Sequence, residues 1–365
     1  MNVVNDLYKE IEKGVAGANV GLKTGLPKID WYTGGFQKSM YRLIFGKSGS
    51  GKTSFTTYTL YRTLKDYPEK NFIHLYFSME MRGTVLLAKL LNLYLWETYG
   101  LNVSFMDIFS IREPLPEPIY EKVLEAKEWL EKVSKKIIIY DKRMNADFLY
   151  AKIMEFLELN GEFSDSEDGK RKIYTPNDPS LIINIIIDHG GLFQPSKGRT
   201  KKEEIDLASS YLVRFREVCG ISVDFLLQEN RTAGTSDRLK MDMSEPTLDE
   251  VKESGNPGND CNICIAVYNP LDYKLKKYRD YQVVGDEGLG SAIRGLLILK
   301  SRFGSAHKAI PCAFMGSNGL FEELPPPEYM DYSKYQSWKD EKFTKEIIKD
   351  DVPKEEQNKE IIYNF

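Results

Sequence analysis

The chain has 365 residues, with 50 Lys+Arg against 54 Asp+Glu, a net charge of −4, and 42% hydrophobic and 28% charged residues. That balance excludes wholesale disorder and collagen-like or low-complexity architectures, and leaves ample chain for one large domain or two smaller ones. The longest apolar run, around Leu181–Ile187, is far short of the roughly 18–20 residues a bilayer requires, so no membrane span is expected. The N-terminus lacks the basic-then-apolar layout of a signal peptide, and four cysteines are too few for a disulfide framework, so the expected setting is reducing and cytoplasmic. The acidic balance argues mildly against a nucleic-acid partner, but the charge is uneven: residues 325–365 carry −3 of it.

In chain order, Val3, Val4, Leu7 and Ile11 share one face of a short helix, separated from the rest of the chain by Gly14, Gly17 and Gly21. Its apolar stripe must be covered within the chain or by a neighbouring subunit. Apolar strand patterns then run at Tyr41–Phe45, Phe72–Phe77, Lys136–Tyr140, Ile182–Ile187, Val223–Leu227, Ile263–Tyr268 and Gly295–Leu299. They lack in/out alternation, as strands buried on both faces do. Helical patterns lie between them at Ser54–Lys65, Val85–Tyr99, Ile119–Ser134, Ala146–Leu157 and Ile205–Val218. This alternation predicts an α/β fold with a mostly parallel central sheet flanked by helices. The polar stretches Asn160–Ser180 and Pro270–Ala292 read as surface insertions, and the segment from Pro325-Pro326-Pro327 onward as a charged extension, helical in part near Asp340–Ile348.

Gly46-Lys47-Ser48-Gly49-Ser50-Gly51-Lys52-Thr53 fits the phosphate-loop pattern G-x-x-x-x-G-K-[ST], placed between a strand and a helix. The glycines let successive amides turn inward around a β-phosphate, and the helix N-terminus adds a favourable field. Lys52 would reach the β/γ-phosphates and the Thr53 hydroxyl would ligate Mg²⁺. Leu181–Asp188 is a buried strand ending in an aspartate, so Asp188 would complete the metal shell through water. Glu80, just after the strand that follows the phosphate-loop helix, should emerge at the same carboxyl edge as a general base for water. Cys261-Asn262-Ile263-Cys264 has no second pair to make a metal site and reads as core thiols; His74, His189 and His307 are isolated.

These pieces stand among others: Thr24-Gly25-Leu26-Pro27-Lys28-Ile29-Asp30, Thr33-Gly34-Gly35-Phe36, Phe77-Ser78-Met79-Glu80-Met81 and Ile187-Asp188-His189-Gly190-Gly191-Leu192. Further along stand Gln228-Glu229-Asn230-Arg231, Lys252-Glu253-Ser254-Gly255 and Lys300-Ser301-Arg302-Phe303-Gly304. In this order they resemble the motor domain of the bacterial and phage DnaB-type replicative helicases across residues about 20 to 324. The resemblance implies a RecA-like P-loop ATPase domain over 20–324, preceded by a linker arm at 1–19 and followed by a charged tail at 325–365. It implies ATP and Mg²⁺ as cofactors, Glu80 as the catalytic glutamate and Gln228 as the γ-phosphate sensor. Lys300 and Arg302 would be donated in trans to the neighbouring subunit's nucleotide in a homo-hexameric ring, with Arg302 as arginine finger. Single-stranded DNA would thread the ring along Lys197, Arg199, Lys201 and Lys202 after the Asp188 strand, and Arg231, Arg238 and Lys240 after the glutamine strand.

Two departures matter. Only about 20 residues precede the motor, so the family's N-terminal collar is not expected, which suggests a phage or mobile-element type. The family's Ser-Gln-Leu-Asn-Arg is here Leu227-Gln228-Glu229-Asn230-Arg231. A primase or loader would then have to engage the arm or the tail. The expected function is an ATP-dependent replicative DNA helicase; the alternatives are a filament-forming recombination ATPase and a helicase-derived regulatory subunit.

Overall fold

The computed structural model describes residues 3–339 except 18, 167–168, 170–171, 230–244, 252–255 and 286. A nine-stranded sheet organises it. Its strands are β1 (Tyr41–Gly46), β2 (Phe72–Ser78), β3 (Ile137–Tyr140), β6 (Ile182–Asp188), β7 (Ser222–Gln228), β8 (Ile263–Tyr268), β11 (Ile293–Ser301), β12 (Lys308–Met315) and β13 (Leu320–Glu323). Two separate hairpins supply β4 (Gly161–Asp165) with β5 (Lys172–Pro176), and β9 (Lys277–Tyr278) with β10 (Tyr281–Gln282). The order across the sheet is β13-β12-β11-β8-β1-β7-β6-β2-β3. From β8 to β3 every pair is parallel; β11, β12 and β13 are added antiparallel.

All seven sequence-read strands form, because β-branched and aromatic runs buried on both faces have no other stable placement. Gly295–Leu299 is a correction in direction: it lies inside β11 and runs against β8. The helices α1 (Val3–Val15), α2 (Pro27–Thr33), α3 (Lys52–Asp66), α4 (Gly83–Tyr99), α5 (Phe105–Ile108), α6 (Glu117–Glu125), α7 (Lys127–Ser134), α8 (Ala146–Asn160), α9 (Lys201–Cys219) and α10 (Asn256–Asp260) connect the strands. The stretch expected as one helix over Ile119–Ser134 is broken at Ala126 into α6 and α7.

Two cores cover the sheet. On one face Tyr41, Leu43, Phe45, Ile185, Ile187 and Phe225 meet Leu149, Ile153, Ala208 and Leu212 of α8 and α9. On the other, Ile44, Tyr76, Ile186 and Leu226 meet Phe55, Leu60 and Leu64 of α3 and Leu86, Leu90 and Leu93 of α4. One polar layer crosses the sheet. The Arg42 guanidinium donates to both Asp224 carboxylate oxygens at 2.6 Å, and Asn184 Nδ2 donates to Asp224 at 3.1 Å.

The 160–180 stretch forms the β4–β5 hairpin at the surface, as expected, with Tyr174 reaching back to donate to Leu157 O at 3.1 Å. Two other segments read as peripheral are not. The 270–292 stretch buries Tyr273, Tyr278, Tyr281, Val283 and Leu289. Residues 325–339 lie on the domain: Tyr335 is buried and donates to Glu322, and Tyr281 donates to Pro325 O at 2.5 Å. Net polarity misled here because tyrosines carry both a core ring and a surface hydroxyl. The helix expected near Asp340–Ile348 lies outside the described residues.

Candidate nucleotide-binding site

β1 ends at Gly46, the chain turns through Lys47–Gly51, and α3 begins at Lys52. Gly49 (φ 77°) and Gly51 (φ 104°) adopt left-handed backbone that side chains disfavour. A Cβ on Gly46 would stand 2.3 Å from the Val267 carbonyl oxygen of β8, so the loop lies directly on the sheet. Lys52 Nζ donates to Gly46 O at 2.9 Å and Lys47 O at 2.7 Å. The loop thus holds its own cation at the mouth of the cradle. Burial brings the Lys52 ammonium down to about 8, against the pull of Asp188, Glu80 and Glu229. Phosphate oxygens would replace the loop carbonyls as its partners and restore its charge.

Asp188 closes β6 with its carboxylate buried. Thr53 Oγ1 donates to its Oδ1 at 3.0 Å, and Tyr76 OH donates to Oδ2 at 3.0 Å. Burial pushes this carboxyl up to about 6; the two hydroxyl donors and Lys52 oppose the shift and Glu80 adds to it. A hydroxyl and a carboxylate 3.0 Å apart form a hard-oxygen pair of the kind Mg²⁺ takes beside nucleotide phosphates. Among the described residues no cluster of three or more His, Cys, Asp or Glu could hold a metal without such help.

Register brings the other acid to the same edge. Ser78 pairs with Asp188, Met79 N–H donates to Asp188 O at 2.8 Å, and Ser78 Oγ donates to Met81 O at 2.6 Å. This fixed turn presents Glu80 to solvent, its carboxylate 3.9 Å from His189 Nε2. Gln228 ends β7 directly opposite Gly46. The phosphate loop, Thr53, Asp188, Glu80 and Gln228 therefore share the carboxyl edge of the parallel strands.

Lys300 and Arg302 do not join them. β11 runs antiparallel to β8, with Gly295 opposite Tyr268 and Ser301 opposite Ile263, which carries both cations to the amino edge. Six residues of β8, roughly 20 Å of strand, separate the two edges. A bulge between Ile298 and Lys300 re-aims the end of β11. There Lys300 Nζ donates to Gly258 O (2.8 Å) and Asn259 O (2.7 Å), and Arg302 donates to Asn259 O at 3.0 Å.

Of the residues proposed to contact DNA, Lys197 and Lys202 are exposed, and Lys201 and Lys202 lie in the first turn of α9 rather than in a loop. Arg199 is already paired, 2.7 Å from Asp147 and 3.7 Å from Glu204. Arg231, Arg238, Lys240 and the Lys252–Gly255 motif lie outside the described residues. Cys261 and Cys264 are buried free thiols.

Residues 21–153 match the model of the DnaB-like helicase C-terminal domain. That match spans less than half of the chain. The replicative DNA helicase DnaB of Mycoplasma pneumoniae is 22% identical over 255 residues, which are 69% of this chain and 47% of that protein. The Mycoplasma genitalium counterpart is 19% identical over 271 residues, 74% of this chain and 51% of that protein. The chain thus spans about half the length of these relatives. A solved ATPase domain superposes with TM-score 0.66 at 20% identity, covering 88% of this chain and 98% of that one. A DnaB-like replicative helicase, described with its interactions with primase, gives TM-score 0.64 at 20% identity, covering 88% and 66%. The fold is shared with these solved ATPase and helicase structures. No described helix is long and apolar enough to cross a membrane.

Sequence reading missed the supports of this site. Tyr76 is one aromatic among several in an apolar strand, and only register shows that its hydroxyl meets Asp188. Tyr273 lies under the loop: Lys47 Nζ stands 3.6 Å over its ring, and its hydroxyl donates to Glu229 at 3.1 Å. Arg294 Nε donates to Ser50 O, inside the loop, at 2.7 Å. Nothing local to either strand marks Tyr76 or Arg294 as a support of the loop.

Proposed function

We propose that this chain is the motor of an ATP-driven replicative DNA helicase, working as a homo-hexameric ring on single-stranded DNA in the cytoplasm. Lys52 and the loop amides bind the polyphosphate. Thr53 and Asp188 would hold Mg²⁺, which when bound screens the phosphate oxygens that gain charge in the transition state. Glu80 orients the attacking water and takes its proton. Gln228, beside Gly46, reports γ-phosphate occupancy down β7.

The observation that carries this reading is the separation of the two sheet edges. Lys300 and Arg302 are about a strand length from their own phosphate loop, so they can neutralise transition-state charge only on a neighbour's nucleotide. The exposed stripe of α1, with Val3, Val4, Leu7, Tyr8 and Ile11 all uncovered in the single chain, supports assembly as well. Lys197, Lys201 and Lys202 offer phosphate contacts in the bore, and a primase or loader would dock on the arm or tail.

The test is ATPase activity with and without single-stranded DNA, together with fork unwinding, for wild type and Lys52→Ala. DNA-stimulated turnover that Lys52→Ala lowers at least 100-fold is expected. Turnover indifferent to DNA would overturn the helicase reading.

A further inference from the structure

We infer that Arg294 is a positioning residue of the phosphate loop: it holds the Ser50 carbonyl outward and thereby aims the Gly51 amide at the β-phosphate. This rests on the nucleotide-site reading above and adds to it a residue from the antiparallel part of the sheet.

Arg294 is the second residue of β11, next to Gly295, which faces Tyr268 at the carboxyl end of β8. The side chain therefore stands directly behind the loop. It is 5% exposed. Nε donates to Ser50 O at 2.7 Å, while Nη1 donates to Asn269 Oδ1 (3.2 Å), Ser291 O (2.8 Å) and Ile293 O (2.7 Å). The Phe314 ring closes one face, its centroid 4.6 Å from the guanidinium carbon. These hydrogen-bond partners are all neutral oxygens, whereas a buried cation ordinarily sits against a carboxylate.

In a planar trans peptide the C=O and the N–H point in opposite directions. Drawing the Ser50 oxygen toward Arg294 therefore turns the Gly51 N–H to the other side, into the cradle. Contact is close: a Cβ on Gly51 would lie 3.8 Å from Arg294 Nε. Gly51, at φ 104°, has wide conformational freedom, so an unrestrained peptide here would sample orientations that face away from phosphate. A full charge on the carbonyl side also polarises the amide and strengthens the hydrogen bond it gives.

The experiment is displacement of a fluorescent ADP by ADP and by AMP in Mg²⁺-free buffer, on the full chain, with melting temperature measured alongside. AMP lacks the β-phosphate that the Gly51 amide would meet. In Arg294→Gln, ADP affinity is expected to fall tenfold or more while AMP affinity stays within twofold; Arg294→Lys, which keeps the charge and one donor, is expected to be intermediate. Equal losses for ADP and AMP, or no loss, would overturn the assignment. A wild type that does not prefer ADP to AMP would overturn instead the nucleotide-loop reading beneath it. If neither variant folds, a crystal structure of the wild type with ADP decides. Gly51 N should then lie within about 3.2 Å of a β-phosphate oxygen with Ser50 O still on Arg294; a Ser50 carbonyl facing the nucleotide would refute it.

Discussion

The two edges of the central sheet are built on opposite principles. At the carboxyl edge Asp188, Lys52 and Ser50 are buried and held by their own chain: Asp188 by Thr53 and Tyr76, Lys52 by the loop carbonyls, the Ser50 peptide by Arg294. At the amino edge Arg302 is exposed, holds one backbone carbonyl, and is followed by Phe303, 72% exposed. Preorganisation in a dry site suits a small ligand whose charge must be met without delay. An exposed cation such as Arg302 suits a surface whose complement arrives with another molecule. The difference separates what one chain completes from what it leaves to a neighbour.

Arg302→Ala is the sharpest attempt to break that contrast. DNA-stimulated ATPase is expected to fall about 1,000-fold, while Mg²⁺-free ADP affinity stays within twofold. Mixing Arg302→Ala with Lys52→Ala protomers should restore activity, because some interfaces then pair an intact loop with an intact Arg302. A large loss of ADP affinity in the unassembled chain would place Arg302 in its own site.

Tyr76→Phe tests the other edge. Losing a hydrogen bond to a buried carboxylate costs on the order of 1.5–3 kcal/mol. The Mg²⁺ midpoint for fluorescent-ADP binding should rise about tenfold, with Mg²⁺-free binding unchanged; an unshifted midpoint would mean the hydroxyl does not orient Asp188.

Acidity sharpens the same edge. In the empty site Lys52 loses its proton above about 8, so Mg²⁺-free ADP must bring a proton with it at higher pH. Affinity should be flat below that point and fall up to tenfold per pH unit above it, until Lys52 deprotonates in the bound state as well. Lys52→Met should erase this dependence in whatever binding remains.

The smallest effect on the fold is expected at the arm. Leu7 is 57% and Ile11 48% exposed, so Leu7→Asp with Ile11→Asp should move the melting temperature of the unassembled chain by no more than about 1 °C. Sedimentation should nonetheless show weakened assembly; intact assembly would mean that the stripe is not a subunit contact.

How much of this was legible depends on how far along the chain each cause acts. The phosphate loop was readable because its backbone demands glycine at fixed local spacing, and Asp188 because an acid closing an isoleucine-rich strand gains meaning beside such a loop. β12 and β13 were not, since antiparallel strands joined by short turns lack the strand–helix alternation that announced the parallel set. Tyr76 and Arg294 were invisible for a different reason: each acts on a group more than 100 residues away, and only strand order brings them together. The segments 270–292 and 325–339 looked polar by count, yet their tyrosines fill core space.

The Arg42–Asp224 pair has a consequence for how accurately the chain must fold. The two residues are direct partners across β1 and β7. A slip of one residue would set Arg42 against Val223 or Phe225 and strand two charges in an apolar interior, at a cost of several kcal/mol. The pair thus works as a proofreading key for strand alignment. Four residues further along the same two strands, Gly46 faces Gln228. The spacing between the phosphate cradle and its reporter is therefore inherited from an ion pair that neither of them touches, and misaligned molecules are rejected during folding rather than left to turn over nucleotide badly.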